Sequence, residues 1–294
     1  MKNNAQTILV TGANGQRGCE IRAIAAKYPQ YNFLFLSKDI LSVSDLTAVM
    51  DHFKNEPIAC CINCAAYTAV DKAESEKDIA FSVNADGAKN IAQACKHYNI
   101  QLIHISTDYV FDGTGSSPYE ETDTTNPLGV YGASKLKGEQ LVLENDSAAI
   151  IIRTSWLYSS FGNNFVKTML RLMKERDSIN VVNDQYGCPT YAADLANAVM
   201  QIIASGKAGS HAGIYHYANT GIITWYEFAL AIKELSKSNC SVNPISTDQY
   251  PTAAKRPAYS VLDTKKIRDT FNISIPDWGV SLQACLKAMY ALLL

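Results

Sequence analysis

The opening thirty residues constrain this chain most. Thr7-Ile8-Leu9-Val10-Thr11 is a short apolar strand. It runs straight into Gly12-Ala13-Asn14-Gly15-Gln16-Arg17-Gly18 and then into a helical pattern through Tyr28. A strand that turns on glycines directly into a helix sets the helix's unpaired N–H groups beside the strand's carboxyl end, where a pyrophosphate can lie. The spacing is G-x-x-G-x-x-G rather than G-x-G-x-x-G. A glycine triplet carries little weight by itself; in the first strand–turn–helix of a chain it points to a dinucleotide site, with a plain loop as the alternative.

The pattern then repeats. Asn32–Leu36 reads as the second strand. The acidic residue that would hold a ribose 2′-hydroxyl is expected at its end, but the sequence offers Ser37-Lys38, followed by Asp39-Ile40. Ser37 and Lys38 suit a 2′-phosphate, so NADPH is the expected cofactor and NADH the alternative. The plain reading of Lys38 is a solvated loop charge. Leu46–Asn55 reads as a helix, Ile58–Ala65 as a buried strand, and Ile79–Tyr98 as a helix that carries Asn84. Leu102–Thr107 is a strand, Tyr131–Leu143 a helix and Ala149–Arg153 a strand. Such alternation predicts an α/β fold, a Rossmann-type doubly wound parallel sheet. Beyond residue 155 the regularity weakens. The division expected is a dinucleotide-binding part over residues 1–155, with return segments near 188–218, and a smaller, interleaved, mainly substrate-binding part over 156–294.

Composition excludes several functions. A formal net charge of -2 with no basic run argues against nucleic acid as a partner. No apolar stretch reaches the length of a membrane span, and the N-terminus shows no signal-peptide core, so a cytoplasmic protein without a membrane partner is expected. The eight cysteines are scattered through predicted strands and helices and read as small buried thiols. Cys61-x-x-Cys64 has no further ligands near it in sequence, which disfavours a zinc or redox site.

The stretch from Ser106 to Lys135 carries the chemistry. Ser106-Thr107-Asp108 puts hydroxyls and a carboxyl at the end of an apolar strand, and Tyr131 and Lys135 stand four apart at the start of a helix. Residues i and i+4 share a helix face. An ammonium near a phenol favours the phenolate, so Lys135 is expected to lower the Tyr131 pKa toward neutrality. His104 reads as a packed core residue.

These motifs resemble the extended short-chain dehydrogenase/reductase superfamily and, within it, the dTDP-4-dehydrorhamnose reductases. The segments that carry the resemblance are GANGQRG, NCAAYTAVDKAE, HISTDYVFDG, NPLGVYGASKLKGE, RTSWLY, GNNFVKTMLRL, NDQYGCPT and KRPAYSVL. The resemblance implies reduction of the C4 keto group of a nucleotide-linked 4-keto-6-deoxyhexose by NAD(P)H, for dTDP-L-rhamnose and polysaccharide synthesis. Gly12, Gly15, Gln16, Arg17 and Gly18 would then hold the cofactor pyrophosphate, Asp39 and Ile40 the adenine, and Ala65, Ala66, Tyr67 and Ile105 the rest of the dinucleotide. Tyr131 would donate the proton, and Lys135 would bind the nicotinamide ribose and tune Tyr131. Thr107 would hydrogen-bond the sugar carbonyl; Asp108, Trp156, Gln185 and Arg256 would face the nucleotide-sugar substrate. A homodimer is compatible with the family.

Two departures stand out. Arg17 replaces a usually aliphatic residue. Some members hold Mg2+ at a dimer interface through Glu residues; Glu20 matches one, but Ala193 stands where another would be, so no metal site is assigned and the use of Mg2+ stays open. Other chemistries remain to be weighed. A dehydratase would need Asp-Glu after the Thr, and here Tyr109 follows Asp108. A 4-epimerase is not separated from a reductase by these residues. A non-catalytic, dinucleotide-binding regulatory subunit is disfavoured by the intact Thr107, Tyr131, Lys135 and Trp156.

Overall fold

The computed structural model describes residues 6–291. Six strands build the central sheet: β1 (Gln6–Thr11), β2 (Tyr31–Leu36), β3 (Ile58–Asn63), β4 (Gln101–Thr107), β5 (Ile150–Thr154) and β6 (Gly213–Tyr217). Their order is β2-β1-β3-β4-β5-β6, and every pairing is parallel. A parallel sheet is covered on both faces, and its strands accordingly read as continuous apolar runs. Side chains alternate between faces. Ile8, Val10, Ile103, Ile105, Ile150 and Ile152 meet α1 (Gln16–Ile24) on one side; Leu9, Cys61, Leu102 and Ile151 meet α2 (Leu46–Asn55) and α3 (Gly87–Tyr98) on the other. Each fully buried Leu or Ile contributes roughly 1.5–3 kcal/mol.

The strand order reverses between β1 and β3, and crevices at such switch points take ligands in open α/β sheets. At Gly12, φ is +61°, and an added Cβ would stand 2.7 Å from the Ala65 nitrogen. Glycine therefore lets the two strand ends close up beneath the crevice.

The predicted helix over 79–98 is interrupted. Lys77–Phe81 is α-helical, Ser82–Asp86 forms a π-helical turn, and α3 begins at Gly87. The π turn buries Asn84, which is 1% exposed. Its Oδ1 accepts from Tyr67 N–H at 2.8 Å, and its Nδ2 donates to the Tyr67 carbonyl at 3.1 Å and to Ser134 Oγ at 2.9 Å. The loop after β3 is thus tied to α4 (Val130–Asn145), the helix that carries Tyr131 and Lys135. Asn84→Ala leaves those groups unpartnered, and a loss of roughly 1–3 kcal/mol is expected. Chemical denaturation measures it; an unchanged midpoint and slope would contradict the tether.

Beyond β5 the chain builds a second core. α5 (Phe165–Glu175), α7 (Trp225–Ser236) and α8 (Trp278–Ala291) pack Val166, Met169, Phe228, Leu282 and Leu286 around Tyr158. Between α5 and α7, α6 (Ala192–Ala204) and β6 return to the sheet. The cysteines are free thiols, all buried except the partly exposed Cys19. Burial pushes Cys64 up to about 11 and Cys60 higher still, which suits packed thiols rather than nucleophiles. No helix among the described residues is long and apolar enough to cross a membrane.

Candidate active site

A cavity of about 460 Å³ opens over the carboxyl ends of β1, β3, β4 and β5. Gly12, Gly15, Gln16 and Arg17 line one wall, Ala65 and Ala66 another, and Thr107, Asp108, Tyr131 and Trp156 the far side. The sequence motifs therefore converge, although they lie up to 144 residues apart (156 − 12). Gly15 caps α1 with no side-chain bond, so the helix's first N–H groups have no side-chain acceptor at the cap. This is the arrangement that accepts a phosphate. Lys38, after β2, also lines this cavity, whereas Asp39 and Ile40 do not; Ile40 is 58% exposed.

The residues of α4 reach the sheet in a row. Tyr131, Lys135 and Glu139 follow one another at i+4 spacing on one face. Gly132 allows this approach: a Cβ there would collide with the Tyr109 carbonyl. The Tyr131 ring meets Tyr109 edge-on at 5.5 Å.

Lys135 departs from expectation. It is 1% exposed, and its Nζ donates to the Ile105 carbonyl at 2.8 Å and lies 3.3 Å from His104 Nε2. Burial, then the Arg17 charge, pulls its pKa down to about 7, against Glu139 and Cys64. Tyr131 is correspondingly raised, not lowered. Burial is the main cause, Asp108 adds to it, and Arg17 and a hydrogen bond with Thr107 oppose it. The cation that favours the Tyr131 phenolate is Arg17, the residue that departs from the family pattern. Its guanidinium donates to the Cys64 carbonyl at 3.4 Å.

His104 is more than core filling. It is fully buried, its Nδ1 stands 3.0 Å from Asn63 Nδ2, and Asn63 Oδ1 accepts from Thr11 Oγ1 at 2.6 Å. Burial and the neighbouring Lys135 and Arg17 charges hold it neutral. Behind Thr107, Ser106 Oγ donates to Glu139 at 2.5 Å, and Glu139 accepts from Arg153 Nε at 3.0 Å and Nη2 at 2.7 Å.

Thr107 Oγ1 donates to Asp108 Oδ1 at 3.0 Å and accepts from Tyr109 N–H at 3.2 Å. Burial pushes the Asp108 carboxyl up to about 7, against hydrogen bonds from Thr107 and Ser260.

Trp156 has φ +44°, a left-handed conformation that costs a non-glycine residue roughly 1–3 kcal/mol. It stacks on Trp225 with ring centroids 3.5 Å apart and 7° between planes. Trp225 opens α7 behind a Thr224–Glu227 capping box. Trp225 belongs to none of the motifs that the sequence singles out. Tyr109 and Trp225 also line an adjoining cavity of about 520 Å³, and there Gln185 and Arg256 lie. Arg256 pairs with Asp71 at 2.7 Å. Of the remaining predicted residues, Gly18, Tyr67 and Ile105 lie behind the cavity wall; Tyr67 is tied to Asn84 as above, and its hydroxyl donates to Glu76 at 2.6 Å.

Glu20 is held inside the protein. It is 3% exposed, accepts from Ser159 Oγ at 2.6 Å, and burial raises its pKa toward the neutral acid.

Residues 6–291 match the family model described as RmlD substrate binding domain. A dTDP-4-dehydrorhamnose reductase of Aggregatibacter actinomycetemcomitans is 44% identical over 288 residues, covering 94% of this chain and 97% of that protein. The crystal structure of a dTDP-4-dehydrorhamnose reductase from Clostridium acetobutylicum superposes with a TM-score of 0.92 at 39% identity, covering 97% of this chain and 100% of that one. The Bacillus anthracis protein of that name, solved in complex with NADP, gives 0.92 at 40% identity, covering 96% and 99%. A dTDP-glucose 4,6-dehydratase from Streptomyces venezuelae, 14% identical with a TM-score of 0.81, shares the fold alone. The chain thus belongs to the dTDP-4-dehydrorhamnose reductase (RmlD) family.

Proposed function

We propose that the protein reduces the C4 keto group of dTDP-4-dehydro-L-rhamnose to dTDP-L-rhamnose, with NADPH as the preferred cofactor. One observation carries the reading. Tyr131 and Thr107 meet in a cavity that reaches the uncapped N-terminus of α1 on one side and adjoins the Gln185–Arg256 cavity on the other. A dinucleotide and a nucleotide sugar can therefore approach the same hydroxyls from opposite sides.

When bound, NADPH supplies the hydride. The residues present fit it: the first turn of α1 offers N–H groups to a pyrophosphate, and Gly12 lets the ends of β1 and β3 close up to form the floor beneath it. Gln16 and Arg17 would hold that pyrophosphate, Lys38 would face the 2′-phosphate, and Ala65 and Ala66 would leave space for the middle of the dinucleotide. Lys135, held on the Ile105 carbonyl behind Tyr131, would bind the nicotinamide ribose. Residues 1–155, with the return through 188–218, form this half of the site, and 156–294 supply most of the other half.

Tyr131 gives its proton to the sugar oxygen as charge develops on it. A phenol raised by burial keeps that proton in the resting enzyme, and a proton donor must stand within about 3 Å of its acceptor. Thr107 donates a second hydrogen bond to the same oxygen. The Trp156–Trp225 stack walls the sugar from solvent, and Arg256 and Gln185 address the nucleotide end. Tyr109 stands after Asp108 where a dehydratase would carry a Glu, which argues against dehydration.

The test is steady-state oxidation of NADPH and of NADH in the presence of dTDP-4-dehydro-L-rhamnose. Sugar-dependent oxidation, faster with NADPH at low cofactor concentration, is expected. No sugar-dependent oxidation with either cofactor would overturn the reading.

A further inference from the structure

A threonine hydroxyl has one proton to donate and two positions at which to accept. Thr107 aims its proton at Asp108 Oδ1, 3.0 Å away, and accepts from Tyr109 N–H. So arranged, it has nothing to donate to a sugar oxygen. Asp108 is 2% exposed, lines the cavity that holds Tyr131, and its Oδ2 has no hydrogen-bond partner. A buried, unpartnered carboxylate oxygen is costly, and a proton on the carboxyl removes most of that cost. The ionisable groups that face it are Tyr131 of α4, the adjacent Tyr109, and Cys188 from the loop before Thr190. None of the three is a cation, so an ionised Asp108 has only the hydrogen bonds of Thr107, Ser260 and the Asp108 and Tyr109 N–H groups to steady it, and burial outweighs them.

We propose that Asp108 is a positioning residue that works as a neutral acid: its carboxyl O–H donates to Thr107 Oγ1 and turns the Thr107 hydroxyl proton onto the oxygen of the reducible carbonyl. Thr107 then accepts from Asp108 and from Tyr109 N–H and gives its one proton to the sugar oxygen, which takes the place of the hydrogen bond Thr107 shares with Tyr131 before the sugar arrives. When Asp108 ionises, Thr107 turns back to the carboxylate, and the developing alkoxide keeps only Tyr131. Burial places the changeover near pH 7. The inference rests on the reading of Thr107 and Tyr131 given above, and it adds a proton switch that the reading lacks.

Asp108→Asn separates the possibilities, because its amide N–H can take the place of the acid O–H but does not ionise. The measurement is kcat/KM for the sugar nucleotide, taken at about pH 6 and about pH 8 at saturating NADPH. A group titrating near 7 goes from about nine-tenths protonated to about one-tenth over that range. The ratio of the two values is therefore expected to be about tenfold smaller in Asp108→Asn than in the wild type. Lys135 titrates in the same range but contributes to both proteins, so it cancels in the comparison. Equal ratios in the two proteins would overturn the proposal. A second readout needs no turnover: the infrared difference between wild type and Asp108→Asn should contain a carboxylic-acid C=O band at about pH 6 that fades by about pH 8. A carboxylate band at both pH values would overturn the proposal. A wild-type protein that shows the acid band but oxidises no NADPH would instead overturn the functional reading and leave Asp108 as a neutral acid.

Discussion

Tyr131→Phe is expected to lower kcat by roughly 10²–10⁴-fold, the usual contribution of a positioned general acid, while leaving NADPH binding near that of the wild type. Phenylalanine keeps the ring against Tyr109, where the edge contact spans 5.5 Å, and so preserves the start of α4. What it removes is the phenolic proton. Lys135 cannot replace that proton from where it sits, because its Nζ is held on the Ile105 carbonyl and beside His104. Thr107 can still donate a hydrogen bond but does not transfer a proton at neutral pH. Single-turnover kinetics with preformed NADPH complex isolate the effect. A loss of less than about tenfold would assign the proton to another group.

Glu139→Ala is expected to destabilise the fold by about 3–5 kcal/mol, the cost of leaving one member of a buried ion pair unmatched. Arg153 and Glu139 are 3% and 2% exposed and pair at 2.7 Å. Glu139 also takes the Ser106 hydroxyl, and Arg153 reaches His216 at 3.5 Å, which burial and the Arg153 charge hold neutral at about 3. One carboxylate thus fastens α4 to β4 and β5 directly behind Thr107. The double replacement Glu139→Met with Arg153→Leu removes both charges, and most of the loss should be recovered. Urea unfolding at fixed pH measures the three proteins. A single replacement costing under about 1 kcal/mol would place the pair in the range of exposed ion pairs and contradict the account.

The sheet was legible because its inner strands β1, β3, β4 and β5 are buried along nearly their whole length and so appear as mainly apolar runs between helices. Leu46–Asn55 was read to the residue, since its polar and apolar positions follow helical spacing and Asp45 caps it. The break at Ser82–Asp86 was not legible, because what favours it is distant: Tyr67 and Ser134 draw Asn84 inward, and neither is near it in sequence. The same reason hid the environment of Lys135. Helix spacing correctly put Tyr131 and Lys135 on one face but could not show that β4 offers Ile105 and His104 to the amine, or that Arg17 reaches across from α1. The expected lowering of Tyr131 by Lys135 failed on that point, since burial and the strand partner decide it. Gln185, Arg256 and Trp225 meet only after some seventy residues of chain fold back together, and local pattern carries no sign of that cavity.

Hydride transfer to C4 of the sugar can be followed with a deuterium label. The protein would be incubated with dTDP-4-dehydro-L-rhamnose and NADPH deuterated at the transferable position, and the product sugar examined by NMR and mass spectrometry. The expected product is dTDP-L-rhamnose carrying one deuterium on C4, formed in step with NADPH oxidation. Consumption of NADPH without deuterium at C4, or conversion of the sugar without NADPH consumption, would contradict it.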